Sequence, residues 1–157
     1  MKKSLSKMQW FGIAVSVPMI VLFVLHFLPY WRYQGESVSI AGYVIRPYEY
    51  STFTNLFRSY FGNKYRITLL FGLPMALTMV GCLVGSVLCT LKSSKAVVYL
   101  APIASGALCI YGLLNGKPYA LSSLRVPMIV VAALVLLGGA AGFVLAARAG
   151  KKSAARG

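Results

Sequence analysis

The chain has 157 residues, 59% of them hydrophobic and only 11% charged, with a mean hydropathy of +0.75. A soluble domain carries about a quarter charged residues, so this composition excludes one and points to an integral membrane protein. Sixteen Lys and Arg face only Glu36 and Glu49, for a formal charge of +14. These cations flank long apolar runs, where they set topology and meet anionic lipid head groups, a placement that argues against nucleic acid as partner.

Four apolar runs, 10–30, 67–91, 96–115 and 126–147, each have the roughly 20 residues needed to cross a hydrocarbon core of about 30 Å. They predict an all-α membrane protein, a four-transmembrane-helix bundle forming one membrane domain over 1–157. The first run follows MKKSLSK, which looks like the basic start of a signal peptide. The run is too long for one, and no small-x-small site precedes Tyr30 and Trp31, so a retained helix is expected. Leu28-Pro29-Tyr30-Trp31 should stop it, because a residue before proline leaves the α region. His26, the single histidine, lies about 6 Å from that end at 1.5 Å rise per residue. It reads either as an interfacial histidine bonded to water, a carbonyl or a loop side chain, or as a ligand- or pH-sensing group. One histidine cannot supply a two-histidine haem or a metal centre within one chain, so no cofactor is expected.

Residues 31–66 form the predicted outer segment. Val38, Ile40 and Val44 alternate with Ser37, Ser39 and Ala41, a period of two. With a turn at Gln34-Gly35-Glu36, the pattern predicts a small hairpin pairing about 31–34 with 37–41 or further, its second strand weakened or bulged at Gly42. Phe53, Leu56, Phe57, Tyr60 and Phe61 then recur at helical spacing, predicting a short amphipathic helix that covers the hairpin or lies on the membrane surface. Trp31, Arg32, Arg46, Phe53, Phe57, Arg58 and Tyr60 make up the candidate interaction surface. The plainer reading of Arg46, Arg58, Lys64 and Arg66 is a solvated rim meeting lipid phosphates or the two glutamates.

The second helix carries Gly81-x-x-x-Gly85 and the fourth Gly138-x-x-x-Gly142. Such faces let helices approach closely, as an internal bundle seam or as a contact with another subunit. Pro18, Pro74 and Pro102 lie inside apolar runs and are expected to bend them, whereas Pro127 opens the fourth. Cys82, Cys89 and Cys109 all fall in predicted helices without a Cys-x-x-Cys spacing, and read as small packing residues. Cys89 sits near the inner end, where acylation is the alternative.

Basic residues near helix ends decide orientation. Lys2, Lys3, Lys7, Lys92, Lys95, Arg148, Lys151, Lys152 and Arg156 crowd three short segments on one side. Arg32, Arg46, Arg58, Lys64, Arg66, Lys117 and Arg125 are spread along longer loops on the other. Density predicts a cell-membrane protein with both termini cytoplasmic, a basic tail over 148–157 and the hairpin outside. Trp10 suits the inner interface, and Tyr30, Trp31 and Tyr33 the outer one.

Four helices, inner termini, a large first outer loop with strands and a tight inner turn resemble the claudin-type four-helix membrane proteins. Leu28-Pro29-Tyr30-Trp31-Arg32 is similar to the passage of their first helix into the outer sheet. The resemblance implies that architecture. The family's Gly-Leu-Trp and its two loop cysteines are absent here, so its junction-forming role is not implied.

No Asp, Glu, Lys or Arg lies at mid-depth in the four runs, and no nucleophile–base pair or metal set stands out. The expectation is a non-enzymatic accessory or assembly subunit that meets another membrane protein, or its own copy, through the outer segment and small-residue helix faces. The alternative is a small oligomeric transporter or channel subunit built on Ser16, Thr78, Ser86, Ser105 and the kinks at Pro74 and Pro102.

Overall fold

The computed structural model describes residues 6–33, 36–45, 66, 68–115 and 124–154. The protein is mostly helical, with four helices long and apolar enough to span a membrane and a small two-stranded sheet. Helix α1 (Lys7–Leu25) begins at a capping box. Ser6 Oγ accepts from the Gln9 amide at 3.2 Å, and Gln9 Oε1 accepts from the Ser6 amide at 2.7 Å. Strands β1 (Pro29–Tyr33) and β2 (Glu36–Ser39) pair antiparallel, and α2 (Ile40–Ile45) follows directly. A π-helical turn, Thr68–Gly72, opens α3 (Leu73–Leu91). A tight turn at 92–95 and a 3-10 turn, Ala96–Tyr99, lead into α4 (Leu100–Asn115). Helix α5 (Arg125–Ala154) completes the bundle.

The long helices pack in chain order, α1 on α3, α3 on α4, α4 on α5 and α5 back on α1. Their outward rows are apolar: Val17, Ile20, Val21 and Val24 on α1, Leu77, Val80, Leu83 and Val87 on α3, Leu134 and Leu137 on α5 are all exposed. The hydroxyls of Ser16, Thr78, Ser86 and Ser105 are buried. A chain with apolar side chains outside and hydroxyls inside is built for a hydrocarbon solvent.

Those hydroxyls tie helices together. Ser16 Oγ lies 2.8 Å from the Gly12 carbonyl on its own helix, 2.8 Å from the Ser86 carbonyl on α3 and 3.0 Å from Thr90 Oγ1. Thr90 donates to the same Ser86 carbonyl at 2.8 Å. Thr78 Oγ1 reaches the Pro74 carbonyl at 2.8 Å and the Ser105 carbonyl of α4 at 3.3 Å. Because an interhelical hydrogen bond in lipid is worth about 0.6 to 1.7 kcal/mol, Ser16→Ala should cost about 1 kcal/mol in detergent unfolding. Ser86→Ala should cost less, since the Ser86 hydroxyl donates only within its own helix, to the Leu83 carbonyl at 2.9 Å. Equal losses would remove the special place of Ser16.

Glycines sit where the seams are tightest. A Cβ on Gly81 would strike Ser105 Oγ, one on Gly85 the Met19 methyl, and one on Gly142 the Tyr99 ring. Gly138 has more room, with Val15 Cγ2 at 3.4 Å from such a Cβ. All four therefore face partners inside this bundle. Three glycines outside either spaced pair, Gly12, Gly106 and Gly139, make closer backbone approaches, the last with the Ile103 amide nitrogen at 2.9 Å from such a Cβ. A Cβ on Gly12 would strike the Cys89 carbonyl, and one on Gly106 would lie 2.6 Å from the Ala132 carbonyl and 2.8 Å from the Leu136 amide nitrogen.

The structure corrects several sequence expectations. Helix α1 ends at Leu25 rather than near residue 30, because β1 already begins at Pro29. The expected hairpin is present, with strands at Pro29–Tyr33 and Glu36–Ser39, each starting one or two residues before the expected bounds. Gly42 bulges no strand, since Ile40–Ile45 is helical and the Ser39 hydroxyl accepts from the Gly42 amide at 3.0 Å, as a cap does. Of the three prolines expected to bend helices, Pro18 stands well inside one; Pro74 and Pro102 lie in the first turns of α3 and α4. Pro102 leaves the Val98 carbonyl without its helical donor, and the Cys89 thiol supplies one at 3.7 Å. Cys89 is thus buried among helices instead of open to acylation. Helix α5 continues to Ala154, past the expected end at 147, because the Ala-, Arg- and Lys-rich sequence after Ala146 holds no helix breaker stronger than Gly150.

Candidate functional site at the hairpin end

The two ends of the bundle differ chemically. At one, Lys7, Lys92, Lys95, Arg148 and Lys151 are all exposed. Phe11 meets Tyr99 at a ring separation of 6.3 Å and Gly142 faces Tyr99, so the start of α1, the 92–95 turn and the far part of α5 share that end. At the other lie the hairpin, α2, the π-helical turn, the end of α4 and the start of α5.

A register shift shapes the hairpin end. Pro29 opposes Ser39 and Trp31 opposes Val38, so β1 advances two residues while β2 advances one. Tyr30 is the extra residue of this bulge, and such an insertion re-aims side chains that strict alternation would send to opposite faces. Both Tyr30, at 1% exposure, and Trp31, at 0%, are buried as a result. Their rings meet edge-on at 5.0 Å. Trp31 also lies 5.7 Å from Tyr43 of α2 and 5.0 Å from Phe71 of the π-helical turn. Trp31 therefore joins three elements, and its ring fastens the hairpin to the bundle instead of facing a lipid interface or a partner.

Among the described residues, His26 Nε2, the Tyr30 hydroxyl and Arg125 Nε at this end are buried without a hydrogen-bond partner. His26 follows the last residue of α1, and its Nδ1 lies 2.7 Å from the Leu22 carbonyl. A carbonyl only accepts, so the proton sits on Nδ1 and Nε2 presents a lone pair. Desolvation lowers the pKa of His26 below the ordinary histidine value, against a smaller upward pull from the Leu22 hydrogen bond. The ring is thus held neutral. Its backbone carbonyl accepts from the Ala41 amide at 2.8 Å, which ties α1 to α2. Burial pushes the Tyr30 phenol up to about 12, opposed by the positive charge of the nearby Arg125. Tyr30 therefore stays a protonated donor within electrostatic reach of the α5 start.

Of the residues singled out from sequence, the structure brings Trp31 and His26 to this end. It seats Gly81, Gly85, Gly138 and Gly142 in the helix seams. Arg32 lies in β1, and its side chain falls outside the described residues, as do Arg46, Phe53, Phe57, Arg58, Tyr60 and the expected helix over 53–61. Among the described residues no group of three or more His, Cys, Asp or Glu is placed to hold a metal ion. Tyr30 and Arg125 are the additions. The only sequence signal for Arg125 is its position directly before an apolar run, a signal that topology alone explains; nothing in the pattern of alternation marks Tyr30. No family model, no curated protein and no solved structure matches this chain.

Proposed function

We propose that this chain is a non-enzymatic, multi-pass protein of the cell membrane that serves as an accessory or assembly subunit, with both termini cytoplasmic and the hairpin outside in a claudin-like arrangement. The observation that carries this reading is how the bundle interior is used. The Ser16, Thr78 and Thr90 hydroxyls reach carbonyls of their own helix or across seams, and Gly81, Gly85 and Gly142 lie against neighbouring helices of the same chain. Side chains engaged in holding helices together are poor material for a water-filled path. With the glycine faces occupied internally, partner contact falls to the outer segment around Arg46, Phe53, Phe57, Arg58 and Tyr60 and to the lipid-facing rows. The exposed cations at the turn end support the orientation.

Affinity purification from native membranes in mild detergent, read by mass spectrometry, tests this. The expected result is one other membrane protein at fixed stoichiometry, lost when Arg46, Phe53, Phe57 and Arg58 are changed together to alanine while the melting temperature holds. Recovery as a monomer without a crosslinked neighbour would sink the reading.

A further inference from the structure

The start of α5 gathers groups that recognise an anion. A helix N-terminus carries about half a positive charge and amide groups with no carbonyl inside the helix to bond. In α5 those amides belong to Arg125 and Val126, because Pro127 has none and the Met128 amide already donates to the Leu124 carbonyl at 2.9 Å. Arg125 adds a guanidinium whose Nε is buried and, among the described residues, unpartnered. Tyr30 adds a hydroxyl, on a side chain 1% exposed, that is likewise unpartnered and within electrostatic reach of Arg125. Buried polar groups are nearly always bonded, so two orphan donors beside one helix start call for an acceptor. The chain's acids are few, two against sixteen cations, and no hydrogen bond joins these donors to the His26 Nε2 lone pair at the same end.

Depth identifies the source of that acceptor. Val126, the next residue, is 69% exposed, and Val130 continues the same lipid-facing row. Arg125 therefore stands where the apolar surface of α5 begins, at the level of the lipid phosphates. An arginine fork matches two oxygens of a phosphate. We propose that Tyr30, Arg125 and the first turn of α5 bind the phosphate of an anionic lipid, seated between the hairpin and the bundle. Such a lipid would clasp the bulged strand β1 to α5, and the site stands whether or not the chain has a protein partner.

Trp31 is a built-in reporter, since its ring lies 5.0 Å from Tyr30 and the chain has just two tryptophans. Changing Trp10 to phenylalanine leaves Trp31 as the sole tryptophan, read by selective tryptophan excitation. This full-length variant, in a phosphate-free maltoside detergent, is titrated with dihexanoyl phosphatidylglycerol, dihexanoyl phosphatidylcholine and inorganic phosphate. Saturable change in Trp31 emission with the anionic lipid, and a weaker response to the zwitterionic one, is expected. Loss of a charge-assisted hydrogen bond should weaken binding about tenfold in Arg125→Gln. Tyr30→Phe should weaken it less, and Arg125→Lys should fall between the wild type and Arg125→Gln. Competition of the lipid signal by inorganic phosphate supports the same phosphate site and shows that it also takes the free ion. No saturable response to any probe, equal responses to both lipids, or an anionic-lipid response unchanged in a folded Arg125→Gln or Arg125→Lys protein would overturn the proposal.

Discussion

Replacing Trp31 with alanine is expected to free the hairpin from the bundle, at a cost of about 3 to 5 kcal/mol, the range for truncating a buried tryptophan. The ring is fully buried and meets Tyr30, Tyr43 and Phe71, which belong to β1, α2 and the π-helical turn. Aromatic pairs add about 0.5 to 1.5 kcal/mol each beyond buried area, so losing all three at once removes most of what holds the head. A two-stranded hairpin is marginal by itself and cannot replace that anchor from its own pairing. Amide hydrogen exchange read by mass spectrometry should therefore speed about a hundredfold or more over 29–45, following the same free energy. Amides of α4 and α5 should change far less, because the ring contacts that Trp31 makes are with β1, α2 and the π-helical turn. Trp31→Phe should keep a ring in place and lose a minor part. Unchanged exchange over 29–45 in Trp31→Ala would show that the head is fastened elsewhere.

The sequence reveals the bundle well and its hairpin end poorly, for physical reasons. A hydrocarbon solvent demands about 20 uninterrupted apolar residues per crossing, and no local detail competes with that signal. The head answers to weaker, conflicting rules. Val38, Ile40 and Val44 alternate as a strand would, yet Ser39 is also a helix cap, and the Ser39 hydroxyl on the Gly42 amide shows which preference prevails from Ile40 onward. The bulge at Tyr30 leaves no trace in a period of two, since an inserted residue keeps the composition and shifts only the register. Tyr30 and Trp31 consequently read from sequence as interface aromatics, and only the register shift shows why both turn inward.

The candidate site was legible in the same uneven way. His26 is conspicuous as the single histidine, but its tautomer depends on the Leu22 carbonyl one turn back, which any helical residue would offer. Arg125 looks like one topology-setting cation among sixteen. What distinguishes it is a neighbour 95 positions earlier in the chain, Tyr30, brought close by the closing of α5 onto α1. Glycine spacing located one face each on α3 and α5 and overlooked Gly12 and Gly106, which have no glycine four residues away. A spaced pair announces a face. It does not say which single position carries the closest approach.

That difference sets the second large effect. Gly106→Val should destabilise the protein by about 3 kcal/mol, the upper part of the usual overpacking range. A Cβ there would meet the Ala132 carbonyl, the Leu136 amide nitrogen and Leu136 Cβ, between 2.6 and 2.8 Å away. Two of these atoms are backbone inside α5, which yields only if the whole helix moves. Gly112→Ala should cost much less, because a Cβ there strikes the terminal methyl of Met75, a flexible end that can swing aside. Gly150→Ala should run the other way. Its Cβ would meet nothing within 4 Å, and alanine is favoured over glycine in a helix by about 1 kcal/mol. Thermal unfolding of the three variants in one detergent should therefore order them with Gly150→Ala above wild type, Gly112→Ala slightly below and Gly106→Val lowest. Cost in this ranking follows the rigidity of what a new carbon meets, and not glycine spacing along the chain. If Gly106→Val melted with wild type, the α4–α5 seam would have slack that its backbone distances do not allow.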